Sequence, residues 1–336
     1  MRYAIYGAGS LGTVLGAFIT RAGVPIDLIN RNREHVDALN RSGAIIKGGI
    51  DMKVPVHAIT PEEMEGKYDV ILLLTKQQHN PEIVNHLKGF LSEDGILATL
   101  QNGIPEYNIA EILGPGKSMG CTVEWGATLE GPGICIFTSD PSPEKLSFQT
   151  GKPADVPEHR FKRVKDLLEL MGPVRVSDNF LGVRWSKLLI NATFAGIGTV
   201  MGATFGEVSR DAKARKVVSR CVKECIDVAH AADVTLTDVQ GVNISKLFYY
   251  TNPFKKMLIE SIIPIAMKSN GNIEPSMLQD LKKGKLCEVE YINGEVCRWG
   301  KRFGVHTPVN DMIVNIIHEE ESGRLPICRS NLGYFS

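Results

Sequence analysis

The chain lacks an excess of charge of either sign: 38 Lys and Arg stand against 38 Asp and Glu, a formal net charge of zero. A balanced chain has no overall field to gather nucleic acid or an anionic membrane surface, and neither partner is expected. It also lacks long apolar runs. No stretch approaches the ~18 residues that a membrane span requires. The first residues read as a folded strand and not as a cleavable signal, so a cytoplasmic location is the expectation. Cysteine is sparse and unpatterned. The seven, at 121, 135, 221, 225, 287, 297 and 328, are odd in number. Cys221 and Cys225 are four apart on a predicted helix, without a second pair at zinc spacing. They read as reduced, mostly buried thiols, and no metal site is expected. Repeats and low-complexity linkers are absent as well. What remains is a globular composition, 43% hydrophobic and 23% charged. A length of 336 residues is too long for one ordinary core, which predicts two domains.

The start of the chain is the most informative segment. A short apolar strand runs into Gly7-Ala8-Gly9-Ser10-Leu11-Gly12, and an apolar-periodic helix follows with Leu11, Val14, Leu15, Phe18 and Ile19. In a strand–turn–helix of this kind the first glycine permits a tight turn. The second lets a pyrophosphate approach the backbone, and the third lets helix and strand pack closely. The helix N-terminus then faces the phosphates. These six residues are the predicted dinucleotide turn of a Rossmann domain.

One further absence selects the cofactor. In NAD-binding units a carboxylate about 20 residues on holds the ribose 2′-hydroxyl. Here the second strand ends in Asn30-Arg31-Asn32-Arg33, and Asp27 comes too early. Guanidinium groups at that edge suit a 2′-phosphate. The expected cofactor is NADP(H), with Arg31 the contact.

The first half alternates predicted strands (2–6, 25–30, 68–75, 95–100, 119–124, 174–177) with predicted helices (11–22, 34–40, 81–91, 105–113). The stretch 43–59 reads as a β excursion. The stretch 124–151 reads as short strands added antiparallel to the sheet. From Asp178 onward nearly everything reads as helix: 179–195, 210–232, 239–247, 253–263, 277–283, 288–303 and 308–322. The fold expectation is an α/β Rossmann domain over residues 1–178 followed by an all-α domain over 179–336 that carries substrate groups and a dimer surface. The apolar stretch 257–267 suggests a homodimer as readily as an internal core.

Candidate site residues fall in both halves. Thr75-Lys76 and Gln101-Asn102-Gly103 follow predicted strands, at the carboxyl edge where open α/β sheets bind ligands. Trp185-Ser-Lys187-Leu-Leu-Ile-Asn191 puts Lys187 and Asn191 one helical turn apart. Taken alone, the lysine reads first as a snorkelling surface residue, and next as one held in a cleft by a partner. Ser276 stands near a helix start, and Glu288 is a first-turn acid whose ordinary role is structural.

In combination these residues resemble the ketopantoate reductase family, within the dehydrogenases whose helical C-terminal domain is like that of 6-phosphogluconate dehydrogenase. The resemblance covers nearly the whole chain. It rests on the glycine turn, Lys76, Asn102-Gly103, Trp185-x-Lys187-x-x-x-Asn191, Pro275-Ser276-Met-Leu-Gln-Asp280, and Glu288-x-x-x-Ile292-Asn293-Gly294. It implies NADPH-dependent reduction of ketopantoate (2-dehydropantoate) to pantoate, a step toward pantothenate and coenzyme A. It implies Lys187 as general acid and Glu288 as its charge partner. Asn191 and Ser276 would hold the substrate carboxylate and hydroxyl, while Lys76 and Asn102 act at the cofactor and nicotinamide edge, with Asn102 touching substrate as well. The family often carries a second asparagine eight residues after the lysine, where this chain has Ala195. That departure leaves room for a paralogous reductase of another 2-keto acid. A non-catalytic NADP-binding sensor is the alternative of a different class, and joint retention of Lys187, Asn191, Ser276 and Glu288 argues against it.

Overall fold

The computed structural model describes residues 1–239, 242–268 and 271–335. It divides into two compact units, Met1–Gln101 with Pro105–Phe180, and Asn102–Ile104 with Leu181–Ser336.

The first unit is built on twelve strands: β1 (Tyr3–Tyr6), β2 (Asp27–Ile29), β3 (Ala44–Gly48), β4 (Met52–Val54), β5 (His57–Ile59), β6 (Tyr68–Leu73), β7 (Leu91–Thr99), β8 (Ser118–Val123), β9 (Ala127–Gly131), β10 (Ile134–Phe137), β11 (Phe148–Thr150) and β12 (Val174–Val176). Eight of them form one sheet in the order β12-β11-β8-β7-β6-β1-β2-β5. From β5 to β8 the strands are parallel. The chain runs outward from β1 through β2 and then returns to the other side at β6, so the order reverses at β1. Ligands bind at the carboxyl ends of strands beside such a reversal. Five helices complete the unit: α1 (Ser10–Arg21), α2 (Arg33–Ser42), α3 (Asn80–Lys88), α4 (Glu106–Leu113) and α5 (Glu158–Glu169). Beyond Asp69 the strand β6 is apolar, because both its faces are covered. Val70 and Leu72 join the core beneath α1, while Ile71 and Leu73 join the core with Val84, Leu87 and Ile109 of α3 and α4.

The excursion over 43–59 does form strands. The expected antiparallel addition over 124–151 needs correction. β11 adds antiparallel to β8, but β9 and β10 belong to a separate four-stranded sheet, β4-β3-β10-β9, in which β10 pairs parallel with β3. Cys135 and Phe137 on β10 and Ile46 on β3 need a shared apolar cover, which α1 provides. That long-range pairing has no local signature. Helix α5 also escaped the sequence reading. Its stripe of Phe161, Val164, Leu167 and Leu168 is narrow, and charged residues dominate the rest of the helix.

The second unit is helical: α6 (Phe180–Ile190), α7 (Gly196–Met201), α8 (Phe205–Arg210), α9 (Ala212–Ala231), α10 (Ile244–Phe248), α11 (Pro253–Ala266), α12 (Ser276–Lys282), α13 (Val289–Phe303) and α14 (Pro308–Glu321). Of the helix expected over 239–247, residues 240 and 241 lie outside the described residues. Helix α9 is the spine. Its buried Val217, Val218, Cys221, Val222, Cys225 and Ile226 recur at helical spacing and enter one core with Ile292 and Val296 of α13 and Ile313 and Ile317 of α14. Asp211 caps α9, accepting the N–H groups of Lys213 and Ala214. All seven cysteines are free thiols, five of them buried. Among the described residues no helix is long and apolar enough to cross a membrane.

Candidate active site

In the first unit the predicted nucleotide residues share one edge. Gly7 leaves β1 at φ +100, and a Cβ there would stand 2.5 Å from the Thr75 nitrogen, so only glycine fits. A Cβ on Gly12 would meet the Gly7 carbonyl oxygen at 2.7 Å, which is why α1 can begin so close to the strand. Gly9 is different: a Cβ there would meet nothing within 4 Å. The turn therefore opens onto free space at its second glycine. Helix α1 has no side-chain cap and no acidic residue in its first turn. Backbone N–H groups and the helix dipole face that space with no anion of the protein's own, an arrangement suited to a pyrophosphate.

A second layer of side chains holds the turn. Asn30 donates to the Ala8 carbonyl at 2.8 Å, and its oxygen accepts the Asn32 N–H at 2.9 Å. Thr13 donates to the same carbonyl at 3.1 Å. The Gly133 N–H donates to Nδ1 of buried His35 at 3.0 Å, which leaves the ring proton on Nε2, 3.2 Å from the Thr13 hydroxyl. Burial pushes the His35 pKa down. Asn30, noted in the sequence for not being a carboxylate, is thus a fastener of the turn. Of the two neighbouring arginines, Arg33 is paired with Glu63 at 2.8 Å. Arg31 is exposed, with no hydrogen bond or ion pair of its own among the described residues. Lys76 follows β6 at the carboxyl edge. Gln101 ties the ends of β6 and β7 together, donating to the Thr75 carbonyl at 2.8 Å and to Asn80 Oδ1 at 2.7 Å.

In the second unit one narrow cleft gathers Asn102, Asn191, Ser276 and Glu288. Ala195, Met277 and Ile292 supply its apolar wall. Asn102 belongs to this unit through the three-residue segment Asn102–Ile104, whose Ile104 is buried in the helical core. Asn191 and Ala195 bound a single π turn between α6 and α7. Ser276 opens α12, and the close seat of that turn depends on Gly198, where a Cβ would stand 2.9 Å from Pro275. Glu288 caps α13. The approach to it is clamped from α14: Glu321 accepts the Cys287 N–H at 2.7 Å and the His318 Nδ1 at 2.9 Å. His318 Nε2 reaches Glu290 at 2.8 Å. Lys187 is on α6, one turn before Asn191, and is not itself part of the cleft lining. Both Lys187 and Glu288 are engaged by other groups of the protein.

Sequence reasoning missed His35, Thr13, Glu224, Asn293 and Asn310 as parts of the machinery. Asn293 lay inside a quoted motif, but its partners are 101 and 17 residues away and nothing local marks them.

Comparison with known proteins gives the family. Residues 3–148 match the family model described as ketopantoate reductase PanE/ApbA. Residues 179–321 match the model described as ketopantoate reductase PanE/ApbA C terminal. A 2-dehydropantoate 2-reductase of Pyrococcus abyssi (strain GE5 / Orsay) is 29% identical over 325 residues, covering 96% of this chain and 98% of that protein. One from Streptococcus pyogenes serotype M1 is 26% identical over 330 residues, covering 95% and 97%. Among solved structures, a D-mandelate dehydrogenase in a ternary structure with NADH and anilino(oxo)acetate superposes with a TM-score of 0.81 at 27% identity, covering 96% of this chain and 99% of that one.

Proposed function

The chain belongs to the ketopantoate reductase family, oxidoreductases acting on a CH–OH group, and from that premise we propose that it reduces ketopantoate to pantoate with NADPH. The observation that carries this reading is the meeting of Asn102, Asn191, Ser276 and Glu288, from four distant segments, in one cleft of the helical unit. NADPH supplies a hydride equivalent when bound; the rest is work for the side chains. The glycine turn and the N-terminus of α1 hold the pyrophosphate, and Arg31 takes the 2′-phosphate. Ser276 and Asn191 hold the substrate carboxylate and hydroxyl through neutral donors. Asn102 and Lys76 act at the nicotinamide edge. Lys187 protonates the oxygen at C2 as charge develops there, with Glu288 orienting the ammonium. The test is NADPH oxidation measured with a panel of 2-keto acids, ketopantoate among them. Turnover with any of them removes the sensor alternative.

A second reading is favoured by one observation. Ala195 lines the cleft beside Met277 and Ile292, where an asparagine would have offered a donor. A paralogous reductase of another 2-keto acid fits that wall, and a similar structure is a D-mandelate dehydrogenase with NADH. The same panel separates the two. The reading also includes a reducing, cytoplasmic setting, in keeping with seven free thiols. It includes a homodimer, supported by the apolar outer face of α11, where Phe254, Met257, Leu258 and Ile265 are exposed.

A further inference from the structure

The helix that carries Asn191 does not run on as plain α-helix. The Gly196 N–H bonds back five residues to the Asn191 carbonyl, and Asn191–Ala195 form one π turn before α7 begins. A π turn inserts a residue into a helix and frees a carbonyl from its usual partner four residues on; such turns recur at functional sites. Here the carbonyl is that of Ala192. It accepts Nδ2 of Asn293, on α13, at 2.9 Å. Asn293 is fully buried, and Nδ2 also donates to Asn310 Oδ1 at 2.9 Å. Asn310 Nδ2 in turn donates to Glu224 at 2.8 Å. The Glu224 carboxylate accepts the backbone N–H groups of Val309 and Asn310 at 2.8 and 3.0 Å, capping α14 from α9. Room for this approach comes from Gly196: a Cβ there would stand 2.9 Å from Asn293 Oδ1 and 3.1 Å from Nδ2.

We propose that Asn293 is a positioning residue that holds the π turn open and so sets Asn191 and Ala195 against Glu288 and Ile292 in the cleft. The proposal rests on the reading of that cleft as the keto-acid site. Asn293 follows Ile292 on α13, so one helix supplies both a wall of the cleft and the clamp on the facing wall. Without the donor, the buried Ala192 carbonyl keeps only the weak thiol donor of Cys221, at 3.9 Å. The turn then gains by closing to the α register, with the Gly196 N–H moving to Ala192. That closure shifts every residue beyond Asn191 by one position, roughly 100° around the helix. Ala195 leaves the cleft, and Asn191 loses its seat.

The test is Asn293→Leu, which keeps the volume and removes the donors, read by hydrogen–deuterium exchange over 191–197, by steady-state kinetics, and by NADPH fluorescence titration. Exchange over 191–197 should change, as its amides move from the π to the α register, while that of α9 stays unchanged. The keto-acid KM should rise about tenfold or more, since small misplacements of substrate-holding groups cost that much. NADPH affinity should stay within about twofold, because the π turn and the glycine turn belong to different units of the chain. Where Asn293→Leu does not fold, Asn310→Ser, which loosens Asn293 without removing it, is read for the same changes at smaller size. Unchanged exchange over 191–197 overturns the proposal, as does an unchanged KM in a folded variant. If the wild type reduces no 2-keto acid, the functional reading fails and the exchange result still decides whether Asn293 holds the turn.

Discussion

His318 shows how single side chains set the site's dependence on pH. Partial burial pulls its pKa down, but the carboxylates of Glu290 and Glu321 on either side outweigh that and raise it above 6.5. A histidine whose folded pKa is raised stabilises the fold fully below the unfolded value of about 6.5, and that stability is lost as pH rises through the folded value. Glu320 works in the same direction. Burial pushes it up to about 8, so the folded state keeps a proton that the unfolded state has lost above 4.5. The histidine's part is therefore isolated by comparing wild type with His318→Gln. Thermal melts should show the wild type's advantage at pH 6 shrinking from about 6.5 upward; a constant advantage would mean that the clamp next to Glu288 is not ionic. Arg31 carries the residue-scale prediction for the cofactor. It is exposed and has no ion pair among the described residues, unlike Arg33, which is held by Glu63. A charge-assisted contact contributes about 1.5–3 kcal/mol, so Arg31→Ala should weaken NADPH by about tenfold or more. NADH should change little. Equal wild-type affinity for the two cofactors, by fluorescence titration, would remove this role.

At the scale of elements, what the sequence reveals depends on where an element's partners are. The strand–glycine–helix opening is legible because its causes are adjacent: Gly7, Gly9 and Gly12 each answer to atoms of the same turn or to open space. The second strand, β6 and the long helix α9 are legible from apolar content or period. The order of helices after Asp178 is also legible, since α9, α11, α13 and α14 each bury a stripe on one shared core. The parallel pairing of β10 with β3 is not legible, because it joins segments some 90 residues apart (134↔45) through backbone bonds. The π turn is not legible either. Asn191, Ala192, Thr193, Phe194 and Ala195 satisfy an α-helical pattern equally well, and the feature that selects the wider turn is a donor on α13. The site follows the same rule. Its polar residues could be named one by one through family resemblance, while the groups that hold them, His35 behind the glycine turn and Asn293 behind the π turn, are set by tertiary contacts.

On the scale of the whole molecule, the stretch 257–267 resolves into two faces. Ile259, Ile263 and Met267 are buried in the helical core, while Met257 and Ile265 are 56% and 74% exposed. An exposed apolar stripe on one helix is a candidate for burial between two copies, with the core unaffected. Light scattering should give twice the chain mass of 36.9 kDa for the wild type and the single mass for Met257→Glu with Leu258→Lys. A monomeric wild type at micromolar concentration would end the homodimer proposal. The central claim joins the two units in one reaction: nucleotide held by the first, keto acid held and protonated by the second. The most direct test measures NADPH oxidation with the panel of 2-keto acids for wild type and for Lys187→Ala, alongside NADPH binding by fluorescence. The account predicts wild-type turnover of a 2-keto acid, and a loss of about 10²–10⁴ in kcat for the variant, the share that a general acid contributes. NADPH binding should be retained. Absence of turnover with every 2-keto acid, or near-normal kcat in Lys187→Ala, would contradict it.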